Sequence, residues 1–356
     1  EIYTNGDVRP CVNSNEPIGN INQENLDDIL RKSKVLQRMK KNMLMDMPDT
    51  NCVLCHHRTI EEEDFGYLRD DYNSRLVKNK DIDYDDIENF DLRTIDLHWS
   101  NICNLRCIMC NPGQSSLIAK DQKTFVTPVN AKSIEKIISM VKENQDKMKE
   151  IYLSGGEPFY IPHNVKLLEE LSNKNVPIRI NTNMHWKINN RLLALLKTFK
   201  NVQLTISADA LNKRFNYIRN GADWEVFKYN LDYIQDETHF DIRINTIFSI
   251  INADSICNTI DFFYNKKNIK DISINLLYEP KALDARNYPE DKKSNIISAI
   301  EKLISIISSE HTNLINNLRN CIMQIKLPNQ RDYRKSLNEI TQRNTIPWQD
   351  VFPDLV

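Results

Sequence analysis

"RTIDLHWSNICNLRCIMC", residues 93 to 110, joins two signals in eighteen positions. From Thr94 to Trp99 polar and apolar residues alternate, the mark of a strand that buries one face. Three cysteines follow at spacings of four and three, Cys103, Cys107 and Cys110, in a chain that has eight in all. Open α/β sheets and α/β barrels carry their chemistry at the carboxyl ends of strands. The stretch therefore predicts a sheet and the edge of it that matters.

Outward from this point the pattern repeats. Further strands are expected at "EIYLS" (150–154), "PIRINTN" (177–183), "VQLTISA" (202–208), "DIRINTIFSI" (241–250) and "DISINLL" (271–277). Helical periodicity fills the gaps, in "AKSIEKIISMVKEN" (131–144), "HNVKLLEELSNK" (163–174), "NRLLALLK" (190–197), "WEVFKYNLDYIQ" (224–235) and "ADSICNTIDFFYNK" (253–266). Strands alternating with helices call for a parallel sheet with right-handed crossovers. The spacing leaves open whether that sheet is doubly wound or a full or partial barrel. The polar motifs fall on one edge: "SGGEP" (154–158) ends the second strand, "NTN" (181–183) the third and "SADA" (207–210) the fourth. Core packing does not require such a grouping. Glycine is scarce, seven in the chain, so the adjacent pair Gly155 and Gly156 implies a place where side chains do not fit.

Composition narrows the partners. Net charge is −2 with both signs interspersed, so no basic face for nucleic acid is announced. No apolar run reaches the length of a membrane span, and the opening "EIYTNGDVRP" is no signal peptide. A cytoplasmic location is expected, where thiols stay reduced and clustered cysteines read as metal ligands before disulfides. The chain opens in mid-strand, so residues are expected upstream of Glu1. Residues 1–92 read as a separate module: a hairpin about Asn5-Gly6, a helix through "NINQENLDDILRKSKVLQRMKKNML", then "CVLCHH" (52–57). Residues 93–310 form the strand-and-helix body, and 311–356 a helical segment and tail.

Zinc prefers four protein ligands in a closed site, and no fourth cysteine lies near Cys110; His98 sits on the preceding strand. Three thiolates on one loop suit a [4Fe–4S] cluster that keeps one iron open. Here the chain resembles the radical SAM superfamily, whose signature is this CxxxCxxC loop after the first strand and a GGE-like motif ending the second. The resemblance implies a partial (β/α)6 barrel. It also implies that S-adenosylmethionine fills the open iron position. One electron then splits it to a 5′-deoxyadenosyl radical that takes hydrogen from a substrate.

By the same resemblance Gly155, Gly156, Glu157, Ser207 and Arg219 hold S-adenosylmethionine. An arginine fork suits its carboxylate. Asn181, Asn183 and Asn245 are further candidates, and Met109 stands where the family usually has an aromatic beside the adenine. Asp209 is a candidate catalytic residue.

Cys11, the "GNI" at 19–21, Cys52 and Cys55 resemble part of the SPASM domain, a half-SPASM or twitch-like module set before the barrel rather than after it. They imply one auxiliary [4Fe–4S] cluster. Cys321, Cys257, His56, His57 or an upstream cysteine could complete it, with zinc or a redox dithiol as alternatives. Cys257 reads most simply as a core thiol. Peptide or protein side chains are the expected substrates, a sugar or amino-sugar alcohol the alternative, and a flavodoxin- or ferredoxin-type protein the expected electron donor. A non-catalytic iron–sulfur or zinc sensor is the rival from another class.

Overall fold

The computed structural model describes residues 1–52, except 15, 46 and 48, and residues 92–353, except 341–343 and 345. Near the amino terminus, Ile2 bridges Val8 across the Asn5-Gly6 turn, where Gly6 takes a positive φ of 87°. Strand β1 (Asp7–Val8) pairs antiparallel with β2 (Gly19–Asn20). The single helix expected after it is two, Leu26–Lys32 and Lys34–Leu44. Ser33 breaks it: its backbone is extended, and its hydroxyl accepts from Leu36 N, capping the second helix.

The body is a six-stranded parallel sheet: β3 (Thr94–Leu97), β4 (Glu150–Leu153), β5 (Ile178–Thr182), β6 (Val202–Ser207), β7 (Asp241–Phe248) and β8 (Ile269–Leu276). Its spatial order is β3-β4-β5-β6-β7-β8. That order answers the question the spacing left open. A doubly wound sheet reverses direction at a switch point, and this one never does. With right-handed crossovers all connecting helices then fall on one face, and the sheet curls as a barrel does. Among the described residues β3 and β8 are the outer strands of the ladder and do not pair with each other, so the barrel is partial. Ile2 lies against the β3 end, in a parallel bridge with Leu97.

Burial along the strands carries the same message. A parallel sheet covered on both faces reads as continuous apolar runs; here buried apolar residues alternate with half-buried polar ones on β5, β6 and most of β7. Ile178, Ile180, Leu204, Ile206, Ile242 and Ile244 face the helices and are essentially fully buried. Helix Ala131–Asn144 shows how such a helix is specified. Asn130 caps it by accepting from Ser133 N, and Ile134, Ile137, Ile138 and Val141 repeat on one buried face. Each such side chain contributes about 1.5–3 kcal/mol of burial. The opposite face of the sheet carries Asp96, Arg179, Asn181, Thr205, Arg243 and Asn245 in register across the strands. Among the described residues no helix is long and apolar enough to cross a membrane.

Candidate active site

The cysteine loop leaves β3 at His98 and is held mostly by main-chain bonds. Gly156 N donates to Ser100 O at 3.0 Å, and Glu157 N to Ile102 O at 2.8 Å. On its other side Arg106 N donates to Asn220 O at 2.8 Å and Ile108 N to Ile218 O at 2.9 Å. Ser116 N closes the far end on Asn101 O at 2.7 Å. The glycine pair is explained by this packing. A Cβ on Gly156 would lie 2.1 Å from Ile102 O, and one on Gly155, at φ 99°, would lie 2.6 Å from Ser100 O. The backbone of the cysteine loop is what approaches these glycines on their Cβ side.

Cys103, Cys107 and Cys110 lie within electrostatic reach of one another. Burial pushes the Cys103 thiol up to about 12, and that of Cys107 higher. Only metal coordination would strip such protons at neutral pH. Among the described residues no group of three or more His, Cys, Asp or Glu is gathered tightly enough to hold one metal ion. Three thiols on one pinned loop are the donor set that suits a [4Fe–4S] cluster with one iron left open. A cation faces them. Arg219 donates from Nη1 to Cys107 Sγ at 3.9 Å, while Nη2 pairs with Asp209 Oδ2 at 2.8 Å. The two side chains are 8% and 2% exposed. Arg219 Nε is buried with no partner, a donor left for an incoming acceptor. Asp209 accepts a hydrogen bond from Ile247 N on its other oxygen, while Oδ2 meets the guanidinium as an ion pair.

Glu157 is fully buried and spans two strand ends. It accepts from Thr182 Oγ1 and Asn183 N at 2.7 Å each and from Phe159 N at 3.3 Å. Burial, the largest influence, raises its carboxyl to about 7 despite these bonds. Its acceptor capacity is thus largely spent inside the protein. Asn183 continues the brace, donating to Asn104 Oδ1 at 2.9 Å beside Cys103. Ser207 Oγ donates to Asn181 Oδ1 at 3.3 Å, and Asn245 Oδ1 accepts from Asn275. Met109 packs, half-buried, against the core.

At the amino-terminal site the turns bearing Cys11 and Cys52 are drawn together. Glu16 N donates to Asn51 Oδ1 at 2.9 Å, and Arg38 spans Glu16 and Asp49 at 3.0 Å each. Cys55, His56 and His57 lie outside the described residues. Cys321 is not brought here. It is fully buried in helix Thr312–Lys326, packed on β8 beside Cys257, whereas the hairpin sits at the β3 end of the ladder. An apolar helix face accounts for it.

Several residues that shape the site escaped the sequence reading. Ile218, Asn220 and Gly221, the last at φ 95°, form the wall beside the loop; "RNG" is a turn signal that could have marked them. Ser115 Oγ donates to Leu105 O at 2.8 Å, and Thr4 Oγ1 lies 3.0 Å from His98 O and 3.1 Å from Gly113 O, the two ends of the loop. Nothing local announces Thr4.

Comparison with known proteins agrees with this geometry. The family model "Radical SAM superfamily" matches residues 97–263, and the SPASM model, an iron–sulfur cluster-binding domain, matches residues 1–57. No match is found among curated proteins. Among solved structures, native anSMEcpe with bound AdoMet is 16% identical, with TM-score 0.43, over 60% of this chain and 59% of that one. Streptococcus suis SuiB bound to S-adenosylmethionine is 21% identical, with TM-score 0.42, over 61% of this chain and 45% of that one. The chain thus spans about half of their length. Residues 97–263 carry a radical SAM domain, and residues 1–57 before them a SPASM iron–sulfur cluster-binding domain.

Proposed function

We propose that the protein is a radical SAM enzyme that oxidises or crosslinks a peptide or protein side chain. The observation that carries this is the meeting of three loop thiols with a buried arginine at the strand ends of a partial barrel. Cys103, Cys107 and Cys110 would hold the [4Fe–4S] cluster, and Cys11, Cys52 and Cys55 an auxiliary one. Bound and reduced, the first cluster supplies the electron that cleaves S-adenosylmethionine to methionine and the hydrogen-abstracting radical. Arg219 Nε offers a charged donor to the methionyl carboxylate, and Ser207 with Asn181 offers polar groups on the adjoining strand ends. Glu157 works at one remove, holding Asn183 and through it Asn104 beside Cys103. A flavodoxin- or ferredoxin-type donor in the cytoplasm suits such oxygen-sensitive chemistry.

The polar face of the sheet supports a hydrogen-bonding substrate. Arg179 pairs with Glu150 at 2.9 Å, Ser154 donates to Asp96 at 3.1 Å, and Arg243 lies 3.8 Å from Asp271. Each of these groups already has a partner, and only a polar substrate could take that partner's place without a loss of about 1–3 kcal/mol per group. The same face favours a second reading, a hydroxyl-rich small molecule such as a sugar or amino-sugar alcohol.

Anaerobic reconstitution with iron, sulfide, S-adenosylmethionine and dithionite tests the reaction. Release of 5′-deoxyadenosine is expected, and none from the Cys103→Ala/Cys107→Ala/Cys110→Ala variant. Iron uptake without release would make the chain a sensor or scaffold instead.

A further inference from the structure

Arg219 makes a contact that S-adenosylmethionine binding does not require. Two backbone bonds, Arg106 N to Asn220 O and Ile108 N to Ile218 O, straddle Cys107 on one segment and Arg219 on the other. Main-chain geometry therefore sets Arg219 opposite Cys107, whatever its side chain does. The guanidinium then divides its donors, Nη1 toward Cys107 Sγ at 3.9 Å and Nη2 to Asp209 Oδ2 at 2.8 Å. Asp209 is itself fixed: Ile247 N donates to its Oδ1 at 2.9 Å, and Asn252 Nδ2 to its carbonyl at 2.8 Å. A residue anchored at both its carboxylate and its main-chain carbonyl thus aims a buried cation at one cluster ligand.

We infer that Arg219 sets the reduction potential of the cluster through Cys107, and that Asp209 is the positioning residue that aims and partly offsets its charge. This rests on the proposed function. Reduction adds one electron to a buried group and changes its charge by −1. Hydrogen bonds to ligand sulfurs and nearby charge are among the levers on such a potential, and a buried charge is weakly screened. Arg219 favours the reduced state and Asp209 opposes it. The two carry opposite signs, and that makes the assignment testable.

The experiment is a reductive titration with dithionite and mediators, read by electron paramagnetic resonance without S-adenosylmethionine. A Cys11→Ala/Cys52→Ala background leaves a single cluster to titrate. Arg219→Gln should move the midpoint to lower potential, and Asp209→Asn to higher potential. The double variant, neutral at both positions, should return toward the starting value, and Arg219→Lys should restore most of the loss. Shifts of one sign in both single variants, or none in either, would overturn the inference and leave Arg219 as a carboxylate clamp alone. Iron content separates the levels: a chain that loads no iron on the cysteine loop overturns the proposed function as well, whereas one that loads iron without opposed shifts overturns this inference only.

Discussion

The loop of Cys103, Cys107 and Cys110 and the turns of Cys11 and Cys52 are fastened by different means. Around the first, five main-chain hydrogen bonds reach the segments after β4, before Gly221 and at Ser116. Around the second, the ties run through side chains: Arg38 to Asp49 and Glu16, Asn42 to Asp49, and Asn51 to the backbone of Glu16. Main-chain fastening does not depend on side-chain identity, but it demands close approach, so it is vulnerable wherever a Cβ intrudes. Side-chain fastening has the reverse profile. Asp49 shows its reliance on charge: the Arg38 fork holds its carboxyl below the usual range.

The glycines give the largest break in that contrast. Gly156→Ala places a methyl 2.1 Å from Ile102 O, where backbone rather than a flexible side chain must yield. Overpacking of this kind costs about 3 kcal/mol or more, and the loop should no longer load iron. Gly221→Ala is the milder member: its Cβ meets nothing closer than 3.5 Å, and the cost is the positive φ alone, about 1 kcal/mol. Thermal unfolding and iron content of the two variants check this. Equal effects would show that loop packing is not what the glycine pair serves.

Glu157 predicts a pH dependence on the main-chain side of the comparison. Its folded pKa is raised, from 4.5 to about 7, by burial. The neutral acid is favoured in the folded state, so the gain is fully present below pH 4.5 and is lost as pH rises through 7. The span amounts to about 3 kcal/mol. In metal-free protein Glu157→Gln should flatten the stability profile between pH 4.5 and 7. A variant that keeps the wild-type slope there would assign the slope to other groups.

How far the sequence revealed this follows from the range of each signal. Alternation and helical periodicity are local, so the six strands of the sheet and helix 131–144 were legible, the helix to the residue. Strand order was not, because nothing local distinguishes one-way winding from a reversal. The cysteine triplet and the glycine pair were visible as spacings. Their mutual contact was not, since it joins residues about fifty positions apart in the chain. Asp209 read only as a candidate catalytic residue because its partners, Arg219 and Ile247 N, come from other elements. Cys321 attracted a ligand role because cysteine is rare here, while the apolar face of the helix that buries it, Thr312–Lys326, was not traced within the helical segment read at 311–356.

The smallest expected effect lies on the side-chain side. Asn51 is 3% exposed, and its Oδ1 accepts from Glu16 N at 2.9 Å, tying the turn of Cys11 to that of Cys52. Asn51→Ala removes that hydrogen bond and a weak one from Asn51 Nδ2 to Met39 Sδ at 3.6 Å, about 1 kcal/mol. If two metal sites are present, only the amino-terminal one should weaken, about fivefold by that same energy. Chelator-driven iron release would then become biphasic, a fast phase set by Asn51 and a slow phase like that of the parent. The argument turns on locality: a side-chain tie transmits its loss only as far as its partner, and Glu16 belongs to the module alone. Matched acceleration of both phases would mean that the two sites share a fastening. Thr4, which touches both ends of the cysteine loop from within the amino-terminal hairpin, would then be the residue through which they do so.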